Sequence, residues 1–272
     1  MLDLSPMQMV ARQGLQTPAL MQSVPAAFAE TPDTTRTGRR YQFISTARIV
    51  EALLEAGFTP TRAQQAGSRR GSAPIHARHM IRFSLIKNTL SLLDAIPELI
   101  LVNSHDGSGA YTLRAGLYRP LCTNGLVTPI GDFGLIHVAH RGNIVHNVVD
   151  AALEIARGFE PLGRVALRMA TTMLAEAQRW DFAARALAIR YPNPAQHKPV
   201  TPDQLLLPRR EADFGRSVWQ TFNTVQENCV TGGLQGRSAS GRLSRTRAVR
   251  AIRDDVRINV ALWNHAVSLL DA

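Results

Sequence analysis

The clearest pattern in the chain is strict alternation in AYTLRAGLY, where Tyr111, Leu113 and Ala115 fall on one face and Thr112 and Arg114 on the other. Just before it, PELILVNSHDG opens with the continuous apolar run Leu99–Val102, the mark of a buried strand. It closes in turn residues from Asn103 to Gly109, so the two runs predict a hairpin. LIHVAH alternates as well, Tyr41–Ser45 reads as a short strand, and IHARHMIRFSLI (75–86) as another. CTNGLVTPIGDFG carries Asn-Gly and Pro turn signals.

The helical period appears first in ARIVEALLEAG, with Thr46 as its cap, Gly57 as its stop, and Ile49, Leu53 and Leu54 on one side. It takes over after Gly142. Asn143 is placed to cap IVHNVVDAALEIARG, in which Val145, Val148, Val149, Ala152 and Ile155 share a face. Pro161 suits the start of the next helix, LGRVALRMATTMLAEAQRW. Beyond a Pro-rich connector, Phe214, Val218, Phe222, Val225 and Cys229 recur at helical spacing, and Gly232–Gly233 end the run. A last helix is expected from near Thr246, with Val249, Ile252, Val256, Val260 and Trp263 as its apolar stripe.

These elements predict an α+β fold: an antiparallel sheet of four to five strands packed by helices, with a helical C-terminal segment. The expected division is 1–38, a mobile N-terminal arm; 39–205, the α+β core domain; and 206–272, the helical segment with a Gly/Arg-rich hinge.

Composition adds a partner class. The 272 residues are 45% apolar, enough for a core, but carry a formal charge of +10 and a pI near 10.8. Such a balance favours polyanions. The positive charge is almost all arginine, since Lys87 and Lys198 are the only lysines. Guanidinium forks suit phosphate, although a genome-wide preference for Arg over Lys gives the same composition. Two distant cysteines, Cys122 and Cys229, form no metal-type pair and fit a reduced compartment. No signal peptide or long apolar run is present, so a cytoplasmic protein without a membrane partner is expected.

The richest chemistry lies in GGLQGRSASGRLSRTRAVR, which holds arginine, glycine and serine and no acid. Gly236-x4-Gly241 matches the front of a phosphate-binding nucleotide loop, but Arg242-Leu243 stand where Lys and Ser/Thr are needed, and a helix leads in where a strand should. Backbone-phosphate contact fits better. Arg237, Arg242, Arg245, Arg247, Arg250 and Arg253 are the candidate nucleic-acid contacts, with Arg69 and Arg70 secondary. Arg250, Arg253 and Arg257 form a ridge if all three lie on the last helix, and Asp254 pairs part of it.

A catalytic alternative centres on His105 and Asp106 in NSHDGSGAY, yet adjacent residues diverge, and Asx and Gly explain the turn without catalysis. His76 and His79, like His137 and His140, have the wrong spacing to chelate from a strand, so no metal and no cofactor are expected. Tyr41, Tyr111 and Tyr118 lie beside arginines and are candidate base-stacking residues, though core packing is their commoner fate.

RYQFIST, HARHMIRFS, PELILVNSHDGSGAY, LYRPLCTNGLV, HRGNIV, TPDQLLLPRR, WQTFNTVQENCVTGGLQGRSASG and DVRINVALW, in this order, resemble the YfjQ/YafZ family of uncharacterised prophage- and plasmid-encoded proteins. The resemblance spans about 39–265. It implies a mobile genetic element as context, and it supplies no activity or catalytic residue. The leading expectation is a non-enzymatic protein that holds single-stranded or distorted DNA mainly through backbone phosphates, with single-strand annealing or recombination as a setting offered by fold analogy. The alternatives are a metal-dependent nuclease or other hydrolase centred on His105 and Asp106, and an interaction factor for a host or plasmid protein.

Overall fold

The computed structural model describes residues 17–67, 75–85, 95–119, 125–128 and 135–271. The chain divides into two compact units, Met1–Leu162 and Gly163–Ala272.

The first unit is built on an antiparallel sheet. β1 (Phe58–Gln65), β2 (His79–Leu85), β3 (Ile96–Asn103) and β4 (Tyr111–Tyr118) lie side by side in chain order. Along its far edge β4 pairs with β5 (Gly125–Thr128) through its second half and with β6 (Ile136–Val138) through its first. The expected β3–β4 hairpin is present, with Leu101 opposite Leu113 and Leu99 opposite Ala115. These residues, with Ile81, Phe83 and Tyr111, pack against α2 (Thr46–Glu55) and α3 (Ile144–Arg157) through Ile49, Leu53, Val148, Ala152 and Ile155. Alternation in the strands and a 3.6 period in the helices thus meet in one apolar layer. Asn143 caps α3 by accepting from the His146 N–H.

Several expectations change. Tyr41–Ser45 is not a strand: the segment is irregular, and Gln42 N donates to the His140 carbonyl. The N-cap of α2 is Ser45, which frees the Thr46 side chain for the buried network described below. The strand expected over 75–86 is shorter, and Ile75 and His76 form a turn. β1 carried no alternating signal. Its sequence FTPTRAQQ is polar, Pro60 is tolerated because the strand lies at the sheet edge, and Thr61 bulges out of register. The arm expected to be mobile is packed from Thr17 onward. α1 (Thr17–Ser23) and the turn after it bury Leu20, Val24 and Ala27 in the core.

The second unit is helical: most of α4 (Phe159–Thr171), then α5 (Glu176–Arg190), α6 (Pro202–Leu205), α7 (Val218–Thr231) and α8 (Ile252–Ser268). Its helical part therefore starts well before residue 206. The single helix expected from Leu162 to Trp180 is two helices. Between them Leu174 N donates to Arg216 O and Thr172 O accepts from Val218 N, so the backbone there serves a bridge to the start of α7. Ser217 and Gln220 form a reciprocal cap on α7. This helix is buried on nearly every side, and Phe222 meets Trp263 of α8 edge to face at 5.6 Å. Phe214, expected on its apolar stripe, lies before the helix and is exposed. No helix among the described residues is long and apolar enough to cross a membrane.

Candidate nucleic-acid interface

The acid-free stretch is neither a hinge nor a nucleotide loop. It folds into a two-stranded hairpin, β7 (Gln235–Arg237) and β8 (Leu243–Arg245), joined by the turn Ser238–Arg242. The two glycines of the nucleotide-loop spacing have separate structural reasons. A Cβ at Gly236 would run into the Pro199 carbonyl oxygen, which also accepts from Arg237 N at 2.9 Å. Gly241 turns the chain at φ 76°. Glycine here serves close approach and turning.

Pairing fixes what each face of the hairpin presents. Gln235 lies opposite Arg245, Gly236 opposite Ser244 and Arg237 opposite Leu243. Directly opposed residues share a face, and residues two apart in a strand do too. Gly236 and Ser244 therefore face the body of the unit, and Gln235, Arg237, Leu243 and Arg245 face outward. Burial agrees, since the four outward residues are exposed and the inner pair is half-buried. The alternation continues past β8. Thr246 turns inward, where its Oγ1 accepts from Leu234 N, and Arg247 is exposed. Arg242 lies in the turn and is exposed. Four candidate arginines, 237, 242, 245 and 247, are thus grouped on one ribbon.

The rest of the candidate set separates. α8 begins at Ile252, so Arg250 precedes it and the expected helical ridge through Arg250, Arg253 and Arg257 does not form. The residues just before Ile252 are not helical, and their backbone is used elsewhere, as where Val249 N donates to Val230 O. Arg253 is exposed on the first turn of α8. Arg257 is a structural residue, donating to the Ile189 carbonyl at 2.8 Å and lying 3.6 Å from Asp254. Arg69 and Arg70 lie outside the described residues. The second unit holds sixteen Lys and Arg against nine Asp and Glu, +7 of the chain's +10. No acid occurs between Asn228 and Arg253, so the ribbon's field is unopposed along the chain.

The NSHDG turn in the first unit is a different kind of place. His105 and Asp106 point apart. The Asp106 carboxylate faces out and accepts from Ser108 N at 3.0 Å, Ser108 Oγ at 2.6 Å and Arg36 Nη1 at 3.2 Å. Partial burial works against its charge, but those hydrogen bonds and Arg36 hold its carboxyl below the usual carboxylate range. His105 is fully buried, and its Nε2 lies 3.1 Å from Thr46 Oγ1. The same hydroxyl meets His79 Nε2 at 2.9 Å and Asn103 Nδ2 at 3.0 Å. His140 Nε2 meets Asn103 Oδ1 at 3.0 Å, and its ring is sandwiched between Tyr41 and Tyr111 at 4.5 and 4.6 Å.

Donor arithmetic assigns the protons. The Ala77 carbonyl only accepts, so the proton of neutral His79 sits on Nδ1, 2.9 Å away. Its Nε2 then accepts from the Thr46 hydroxyl, which has no second proton to give. His105 must donate through Nε2, and His140 donates through Nε2 to Asn103. Burial keeps these rings neutral, pushing His79 down to about 4 and His105 to about 3, and it lowers His140 too. Sequence spacing concealed this cluster because its members come from α2, the ends of β2 and β3, and the loop before α3. It binds those elements together, and no group of three metal-ligating side chains is found among the described residues.

Tyr41 and Tyr111 do not form a stacking platform, and the Tyr118 side chain lies outside the described part of the structure. Tyr111 is in the core, its hydroxyl donating to the Ile44 carbonyl at 2.8 Å. Tyr41 is stacked on His140.

The family model "Domain of unknown function (DUF932)" matches residues 35–263. Two curated relatives come from Escherichia coli (strain K12). UPF0380 protein YafZ is 38% identical over 251 residues, covering 92% of this chain and 90% of that protein. UPF0380 protein YfjQ is 37% identical over the same shares. No solved structure matches significantly.

Proposed function

The chain belongs to the DUF932 family, and we propose for it a non-enzymatic role as a nucleic-acid-binding protein that grips DNA through its backbone phosphates. The observation that carries this reading is the outward face of the β7–β8 ribbon, where Arg237, Arg245 and Arg247 are presented to solvent beside Arg242 while the inner face is docked. A two-stranded ribbon fits the major groove of B-form DNA, and strands enter the minor groove where the duplex is bent and opened. Guanidinium groups on it meet phosphates on the groove walls, and the serines of its turn, Ser238 and Ser240, add hydroxyl donors. Arg253 extends the same basic stretch.

A hydrolytic centre at His105 and Asp106 has less support. Its histidine is buried in a hydrogen-bonded cluster, and its aspartate is held by Ser108 and Arg36.

The test is a mobility-shift titration of the full chain with a DNA duplex in low salt. Of the candidate arginines, Arg237 also donates to the Gly241 carbonyl and so supports the turn. Arg245→Ala with Arg247→Ala is therefore the cleaner variant. It is expected to weaken binding at least tenfold, each lost charge-assisted contact being worth about 1 kcal/mol or more. Wild-type-like affinity in that double variant rejects the ribbon as the contact surface.

A further inference from the structure

The outer face of the ribbon is not uniformly polar. Leu243 lies in it, directly across from Arg237 and next to the turn, and it is 80% exposed. Among the described residues no other large hydrophobic side chain is as exposed. Arg242 precedes it, Arg245 follows two positions on along the same strand, and Arg237 is its cross-strand partner, so arginines adjoin it in sequence and in register at the end of the hairpin. Nothing in the fold of its own unit uses it, because the side of β8 that packs inward is the side of Ser244 and Thr246.

Resting on the phosphate-contact reading, we propose that Leu243 is a wedge. The ribbon enters the minor groove of B-form DNA, its arginines hold the phosphates on either side, and Leu243 inserts between two base pairs, unstacking that step and kinking the duplex. Three features favour this ligand over a single strand or RNA. Binding a single strand relies on aromatic faces beside basic residues, and the stretch from Gly232 to Arg250 holds no aromatic residue. Tyr41 and Tyr111 are engaged with His140 in the first unit. An aliphatic side chain has no ring to stack a splayed base, whereas wedges at kinked steps are commonly aliphatic. A-form RNA offers a wide, shallow minor groove whose walls do not flank a narrow ribbon. Pyrimidine–purine steps, the easiest to unstack, are the expected sites of insertion.

The experiment uses the full chain and three end-labelled probes: a duplex of roughly 25 base pairs, the same duplex with one central mismatch, and one of its single strands. Binding is followed by titration, and bending by energy transfer between the duplex ends. Wild type is expected to bend the paired duplex. It should also bind the mismatched duplex about tenfold more tightly, since part of the unstacking is already done. Both duplexes should be preferred to the single strand. Leu243→Ser, at a solvent-facing position, should lose the bend and the mismatch preference. Arg245→Ala with Arg247→Ala should weaken all three probes together. Binding without a bend, a bend retained in Leu243→Ser, or preference for the single strand overturns the wedge and leaves phosphate contact standing. Absence of binding to all three probes overturns both.

Discussion

At the scale of single residues, the positions that decide this structure are polar or glycine, and their reasons lie across the fold. Glu98 and Arg82 form a buried ion pair at 3.3 Å, with Thr61 Oγ1 donating to the same carboxylate at 2.8 Å. Burial pushes the Glu98 carboxyl up, and Arg82 opposes that shift. Truncating one partner of such a pair strands the other charge, so Glu98→Ala is expected to cost about 3–5 kcal/mol in urea unfolding. A loss under 1 kcal/mol would mean the pair is not desolvated in solution. Gly236→Val should lower the free energy of urea unfolding by about 1–3 kcal/mol, because its side chain must displace the Pro199 backbone. The sequence shows a glycine at 236, but not the Pro199 backbone that makes it necessary, so the Gly236 and Gly241 spacing matches the front of a nucleotide loop there without being one.

At the scale of elements, legibility followed periodicity. β3, β4 and α3 were readable because their apolar positions repeat at the spacing their geometry requires, and the Asn143 cap and Gly57 stop are local signals. β1 was not readable, since a polar edge strand is recognised by its neighbour and not by its own pattern. α7 was half readable. Its apolar stripe was visible, but its buried polar residues are satisfied by distant partners: Glu227 by Arg210, Asn228 by Arg209 and Gln226 by Asn259. The histidine cluster joins four segments and carries a pH prediction. His79 and His105 are neutral in the fold, with values near 4 and 3, while in the unfolded chain they bind protons from about 6.5 downward. Between those values the unfolded state holds more protons, so the stability these groups confer is full above pH ~6.5 and lost as pH falls toward 4. Thermal unfolding measured from pH 7 to 4 should show Tm dropping through that window, with a shallower drop in His79→Gln. An identical slope in the variant would show that His79 does not titrate with unfolding.

At the scale of the whole molecule, most of the charge surplus sits in the second unit, and the fold turns part of it into a surface. Composition alone could not separate an arginine-rich genome from a basic binding face. Hydrogen bonding and strand pairing sort the arginines of this unit by environment. Arg190, Arg209, Arg210 and Arg257 are spent on carbonyls and carboxylates inside the unit, while the ribbon arginines face solvent. The role proposed for those exposed arginines is to neutralise phosphates. Its most direct measurement is the slope of log Kobs against log salt concentration for duplex binding. Four ribbon arginines each neutralising one phosphate give a slope near −4, and Arg245→Ala with Arg247→Ala brings it to about −2. A wild-type slope close to zero, or one unchanged in the double variant, would rule out phosphate neutralisation by the ribbon arginines.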